Sequence, residues 1–540
     1  MRRRRLPLDS TYDVRRCTEI LAFVLISSAA TALNSAQGIP IIAPWPNHGG
    51  GLANRREAPI SSIISKETIS SLAVKWSFNV SNQITATPAI ADGTIYFPTW
   101  TDGNVYAVNA ATGYIVWTTN VSEATGRSGI FSRSTPTVAD EYLIIGVYAP
   151  GLIIALFRGN GSVAWTQIVE ESPYAQITMS GTAYNGSFFV GVSSNEEQQY
   201  ANKCCTFRGS FLKMEAHTGT ILWKQYMVPD NHGEVGFYSG AAVWGSSPAI
   251  DIAHNTIYIA TGNDYSVPPE ITACQAQHNN SVLPDPCFKP GDLQESVVAL
   301  DLDTGEIQWS THLGSFDVYV NDCHHTPHPY CPPLAGNDYD FGECPMLLSI
   351  PALTADGEET IREVLALGQK SGVVWMLDRL NGSVIWATAA GPGGSAGGAT
   401  WGSATDGIRI YTNIVNSKNL NFTLRPSSEV TNGGAWVAMN ASTGDVLWST
   451  AVPGGYYAHG PVSISNGVVL VGSAGPPGGV YGLDADTGSV LWSAPTVGSV
   501  YSGFSVDDYC GYIGSGVNAN AVGKNTTGGQ TIYAFCPSIK

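Results

Sequence analysis

Apolar and polar residues alternate along this chain in short runs, and seven of these runs end in a Gly followed four residues later by a Trp. The pairs are Gly113/Trp117, Gly161/Trp165, Gly219/Trp223, Gly305/Trp309, Gly382/Trp386, Gly444/Trp448 and Gly488/Trp492. The fuller phrases VYAVNAATGYIVW, VVALDLDTGEIQW and VYGLDADTGSVLW each predict strand, tight turn, strand. The Gly supplies a turn position with φ above zero that a side chain would strain. The Trp is a large apolar body that can pack between neighbouring sheets while its N–H finds a carbonyl. Self-similarity of this kind marks a repeat architecture.

An eighth Trp, Trp76 in LAVKWSF, lacks the preceding Thr-Gly turn, and the missing half stands at the far end as TIYAF. The two halves predict an all-β, eight-bladed β-propeller of four-stranded antiparallel blades. Its last blade combines C-terminal strands with the strand around Trp76, which removes the free sheet edge. Seven blades with flanking strands is the alternative. Length alone, 540 residues, would suggest three or four domains. The continuous repeat argues instead for one propeller over 33–540. The longest insertions fall between Trp223 and Trp386, and long loops on a rigid repeat are where function concentrates.

Composition agrees with turn-rich β structure: 13% of residues are charged and 60 are Gly. A net charge of −17 argues against nucleic acid and anionic membranes as partners, and serves solubility equally well. Arg2 to Arg5 and Arg15–Arg16 precede the apolar run Ile20 to Ile26, and Ala30-Thr31-Ala32 resembles a cleavage site. Residues 1–32 therefore read as a signal peptide, with no membrane span after its removal, and the long basic stretch leaves an uncleaved anchor as the alternative. Nine Asn-x-Ser/Thr sequons follow, at Asn79, Asn120, Asn160, Asn185, Asn279, Asn381, Asn421, Asn440 and Asn525. With the signal they predict a secreted glycoprotein. Losing Cys17 with the signal leaves nine cysteines of ten, so one is left over or pairs outside the chain.

Four features go beyond what blades need. Cys204–Cys205 in NKCCTFRGS are adjacent and can close an eight-membered ring, or serve as two separate structural thiols. SGAAVWGSSPAIDIAHNTIYIATGND holds Trp244, outside the repeat series, and Asn263, whose side-chain oxygen suits a hard cation or simply caps a turn. In the long insertion, Asp338 and Asp340 stand two apart between aromatics in GNDYDFG, where they can hold a metal, act as a base, or be ordinary loop carboxylates. The nearby CHHTPHPYC lacks zinc-ligand spacing and reads as a disulfide-closed loop. Last come Glu196 and Glu197 after the strand SFFVGVSS, and Lys370 in LALGQKSG.

Together these segments resemble the quinoprotein alcohol dehydrogenases, eight-bladed propellers that bind pyrroloquinoline quinone with a metal ion. The likeness runs from WPNHGG, at Trp45, to the last blade, and CCTFRGS suggests the polyvinyl-alcohol-dehydrogenase-like branch. The resemblance implies that a Cys204–Cys205 disulfide covers one face of the quinone and Trp244 the other. It implies metal ligation, by Ca2+ or another hard cation, from Glu196 (or Glu197 one residue on), Asn263 and Asp338, with Asp340 in a second acidic position. Asp338 matches the catalytic base in a D-x-D-x(4)-P pattern ending at Pro345, and Lys370 the basic residue at the quinone carbonyls. Arg208 and Thr178 correspond to further quinone contacts. The implied reaction is hydride transfer from a small or polymeric alcohol to the quinone. Because the chain contains no C-x-x-C-H, electrons would leave to an external acceptor. The competing expectation is a non-catalytic extracellular propeller acting as a binding or assembly scaffold.

Overall fold

The computed structural model describes residues 43–199, 203–278, 285–325, 331, 336–353, 356–517 and 526–538. The expected signal peptide and the sequons at Asn279 and Asn525 lie outside them. Eight antiparallel sheets follow one another along the chain as blades 1 to 8, seven of them four-stranded. In the other, blade 3, the first position is split between Ala175–Gln176 and Thr182–Tyr184. Blades 1 to 7 cover residues 89–120, 137–170, 175–226, 249–312, 346–389, 404–451 and 463–496 in turn. Blade 8 takes Ser505–Val506, Gly511–Gly514 and Thr531–Pro537, and is completed by Leu72–Asn79. That N-terminal strand pairs antiparallel with the last one, Trp76 opposite Ala534. The ring thus closes through hydrogen bonds between the two ends of the repeat series. Inner strands such as Tyr142–Gly146 are wholly buried, whereas outer strands such as Val490–Thr496 alternate with solvent.

The Gly-x-x-x-Trp phrase acts between blades. Each repeat Gly lies against the Trp of the preceding blade, and at Gly161 or Gly382 a Cβ would fall 2.5 Å or less from that indole or its neighbouring Thr. The same glycines have φ between 70° and 76°, so both the turn and the docking exclude a side chain. The indole N–H then donates to the carbonyl three residues before the Gly: Trp76 to Ala110, Trp117 to Arg158, Trp165 to Ala216, Trp386 to Ala441 and Trp448 to Ala485, all at 2.8–3.0 Å. Trp223 departs from this pattern. Its N–H has no acceptor, and Lys213 Nζ instead reaches the equivalent carbonyl, Leu302, at 3.1 Å. Asn109, Asp301, Asn440 and Asp484 hold the turns by accepting two backbone N–H bonds each.

Residues 45–58, which belong to no blade, touch all eight. Trp45 bridges to Ile90, Pro46 O accepts from Val138, Asn47 donates to Thr182 and Leu52 O accepts from Ile250. Ala53 O and Arg55 O accept from Leu347 and Thr405, Ala58 donates to Ile464 O, and Arg56 reaches Phe504 O. Three disulfides staple loops or edges: Cys274–Cys287, Cys323–Cys331 and Cys510–Cys536. A fourth joins the neighbours Cys204 and Cys205, which leaves Cys344 as the free, buried thiol among the described residues.

Candidate active site

In an antiparallel blade the entry to the first strand and the exit from the second lie at the same end of the sheet. Segments at these positions in several blades enclose a cavity of about 290 Å³. Arg133, Thr178, Trp244, Asp340 and Trp401 stand on entries, and Tyr148, Glu197, Tyr265 and Lys370 on exits.

The polar centre is an ion-pair cluster. Lys370 Nζ lies 2.6 Å from Asp338 Oδ1 and 3.1 Å from Asp340 Oδ2, with all three side chains largely buried. The Trp244 indole N–H donates to the same Asp340 oxygen at 3.0 Å, and its ring lies 5.1 Å from the ammonium. The other Asp340 oxygen accepts the backbone N–H of Asn263 at 2.6 Å. Burial raises Asp338 well above the usual carboxylate range; Lys370 opposes the shift, and Asp340 and Glu197 add to it. Burial and the Asp340 charge push Glu197 up to about 7. Lys370 is raised by its carboxylates in spite of burial, which alone would lower it. Oxygen donors crowded until their charges repel are the chemistry that a hard cation neutralises.

The other end of the cavity is aromatic and cationic. Trp401 meets Trp244 edge to face at 5.0 Å and Tyr501 at 5.8 Å. The Arg133 guanidinium stacks 4.3 Å over Trp401 and 5.3 Å over Trp100, and has no carboxylate partner among the described residues. A flat, anionic molecule fits this combination of ring faces and an uncompensated cation.

The structure therefore brings Thr178, Glu197, Trp244, Asp340 and Lys370 to one cavity, with Asp338 joined through Lys370 and Asn263 through its backbone. Glu196 is placed differently. Its buried carboxylate accepts the N–H groups of Thr206 and Phe207 at 3.0 and 2.7 Å and the Thr206 hydroxyl at 3.2 Å. Those bonds hold the segment after the vicinal cysteines. Arg208 turns to Asp230 at 3.1 Å, to the Val228 carbonyl and to the face of Tyr226, away from the cavity lining. The Cys204–Cys205 disulfide is buried in the same apolar cluster as Phe207, Ala242 and Tyr265, and of these Ala242 and Tyr265 reach the cavity.

Sequence reasoning missed Arg133 and Trp401. Both carried a signal: Trp401-Gly402-Ser403 repeats Trp244-Gly245-Ser246 outside the blade series. Arg133 stands three residues before Pro136, in the place of Thr85 before Pro88 and Gly245 before Pro248.

A β-propeller with docked tryptophans and a cationic, carboxylate-rich cavity between its strand entries and exits defines the class. The chain belongs to the family described as outer membrane protein assembly factor BamB, which it matches over residues 68–311 and 370–507. Among curated proteins it is 28% identical over 396 residues to a polyvinylalcohol dehydrogenase of Sphingopyxis sp. (strain 113P3), covering 71% of this chain and 55% of that protein. It is 25% identical over 391 residues to the quinohemoprotein alcohol dehydrogenase ADH IIB of Pseudomonas putida, covering 67% and 49%. The chain thus spans about half the length of the curated relatives it matches. Two solved structures share the fold. The quinohemoprotein alcohol dehydrogenase of Comamonas testosteroni has a TM-score of 0.67 at 20% identity, over 92% of this chain and 81% of that one. A europium-containing methanol dehydrogenase has a TM-score of 0.63 at 17% identity, over 91% and 98%.

Proposed function

We propose that the chain oxidises an alcohol, using pyrroloquinoline quinone and a hard cation such as Ca2+ in this cavity, with Asp338 as the base. The observation that carries the proposal is the Lys370 bridge between Asp338 and Asp340 beneath Trp244, in a cavity also lined by Arg133, which has no carboxylate partner among the described residues. The named relatives include a polyvinylalcohol dehydrogenase and a quinohemoprotein alcohol dehydrogenase. When bound, the quinone supplies the hydride acceptor and the cation polarises it.

The residues divide the remaining work. Glu197, Asp340 and Asp338 offer carboxylate oxygens to the cation, with Asn263 beside them. The indole of Trp244 offers a flat apolar face to a ring, and Arg133 a cation to ligand carboxylates. Lys370 opposes the burial that raises Asp338 and aims its carboxylate, which as the base takes the substrate hydroxyl proton. The disulfide stiffens the apolar cluster behind Ala242 and Tyr265, a place one step back from the ring contact expected for it. The substrate, small or polymeric, enters from the open side of the cavity, and electrons pass to an external acceptor.

We further propose a secreted glycoprotein. Among the described residues no helix is long and apolar enough to cross a membrane. The sequon residues Asn79, Asn160, Asn185, Asn381 and Asn421 are exposed. Titrating the purified protein with the quinone in the presence of Ca2+, read by quenching of tryptophan fluorescence, tests the site. Saturable one-to-one binding is expected, and no binding with or without cation would refute it.

A further inference from the structure

Asp338 and Lys370 are connected twice. The direct connection is the ion pair. The second runs behind it through three buried side chains. Asp317 Oδ2 accepts the backbone N–H of Tyr339 at 2.9 Å, and Oδ1 that of Asp338 at 3.4 Å. The Asp317 N–H donates to Oε1 of Gln294, the neighbour of Glu295, at 2.9 Å, and Asp317 adds to the burial that raises the Glu295 carboxyl well above the usual carboxylate range. One Glu295 oxygen accepts the Gln369 amide at 3.0 Å, and the other has no N–H or O–H partner. Gln369 immediately precedes Lys370, and its amide oxygen is fixed by Ser371 at 2.6 Å and Trp375 at 3.3 Å. Asp317, Glu295 and Gln369 are 2%, 1% and 1% exposed.

Three buried polar groups from separate segments, two of them acids, are costly in an apolar interior unless they satisfy one another. A propeller wall does not call for them. What they surround does: Asp338 has φ of 60°, a left-handed conformation that a non-glycine residue keeps only when its neighbours impose it. Space is equally tight on that loop. A Cβ at Gly336 would lie 1.6 Å from Asp317 Oδ1, so the loop can approach the carboxylate only as glycine.

We propose that Asp317, Glu295 and Gln369 form a positioning chain that sets the backbone of Asp338 against that of Lys370, and so aims the Asp338 carboxylate. The inference rests on the reading of Asp338 and Lys370 as the reactive pair, and its first test is independent of that reading. Hydrogen exchange of the Asp338 and Tyr339 amides is measured in the protein alone, for wild type, Glu295→Ala and Glu295→Gln. The alanine breaks the chain, whereas the glutamine keeps an acceptor for Gln369. Exchange at the two amides is expected to rise at least tenfold in Glu295→Ala and to stay within about threefold of wild type in Glu295→Gln. Equal protection in all three proteins would overturn the proposal. Should Glu295→Ala not fold, Asp317→Asn, which leaves one acceptor for the two N–H groups, carries the same expectation. With quinone and cation added, Glu295→Ala is expected to lose at least tenfold in kcat with KM and quinone affinity within about twofold, and Glu295→Gln to restore it. Loss of quinone binding in step with kcat would instead indicate a merely structural role and overturn the proposal. A wild type without turnover would count against the proposed function, and the exchange result would still decide the positioning chain.

Discussion

The indole N–H of Trp492 donates to the carbonyl of Leu72 at 2.8 Å, across the point where the ends of the repeat series meet. It is the bond that other blades make to the next blade along the chain, made here to a strand more than four hundred residues earlier. Closure is therefore held by the same device, an indole-to-carbonyl bond of the kind that Trp76, Trp117, Trp165, Trp386 and Trp448 make, and by the Cys510–Cys536 staple within blade 8.

The device makes its glycines intolerant. A Cβ on Gly444 would stand 2.7 Å from the Trp386 ring at a φ of 76°. Gly444→Ala is expected to cost about 2–4 kcal/mol from overpacking and backbone strain together. Trp492→Phe, which loses mainly one hydrogen bond, should cost about 1–2 kcal/mol. Thermal melts of both variants check the ranking.

Arg133 makes no ion pair among the described residues, so its charge is free for a ligand. Arg133→Met is expected to weaken quinone binding by about 10- to 100-fold, the worth of a charge-assisted contact, and to shift Tm little. Fluorescence titration and a melt on the same sample separate the two effects.

Glu196 and Glu197 are expected to part company on substitution. Glu197→Gln should lower Ca2+ affinity by at least about tenfold, from loss of a carboxylate ligand, and leave Tm without cation unchanged or higher. Glu196→Gln removes the charge that holds Thr206 and Phe207, and should cost about 1–3 kcal/mol with cation affinity nearly unchanged. Calorimetric titration with Ca2+ and thermal melts distinguish them.

Stability should carry a signature of Glu343. Burial pushes its carboxyl up to about 7, against the Gly368 N–H, the Ser403 hydroxyl and the Arg56 charge, which pull it down. Between its ordinary value of 4.5 and about 7, the folded chain keeps a proton that the unfolded chain has released. This contribution is complete below the ordinary value and is lost as pH rises through the folded one, on the order of 3 kcal/mol in all. Glu343→Gln should therefore gain in Tm relative to wild type between pH 5 and pH 8. Parallel melts of the two proteins across that range would show the absence of such a gain if Glu343 is ionised throughout.

What could be read from the sequence was what is local. The turn Gly and the Trp four residues on report one hairpin each, and Trp76 with TIYAF reports the shared blade, because strand and turn chemistry act over a few residues. Thr178, Trp244, Asp340 and Lys370 sit in phrases whose strand entries and exits place them at one end of the ring. Choosing between Glu196 and Glu197 needed more, since both lie in the 3-10 turn Glu196–Gln198 that follows the strand, where successive side chains point in different directions around the turn. Arg208 lies in a telling phrase, and Asp230 and Tyr226 draw it outward. Arg133 and Trp401 lie 268 positions apart in sequence and meet only because the ring closes.

The most direct test of the account is dye-coupled oxidation by the purified protein loaded with pyrroloquinoline quinone and Ca2+, across primary, secondary and polymeric alcohols, beside Asp338→Asn. Turnover is expected in wild type. Asp338→Asn is expected to bind the quinone as tightly and to turn over about 10²- to 10⁴-fold more slowly, the usual weight of a general base. A loaded wild type that oxidises no alcohol, or an Asp338→Asn variant as fast as wild type, would contradict it.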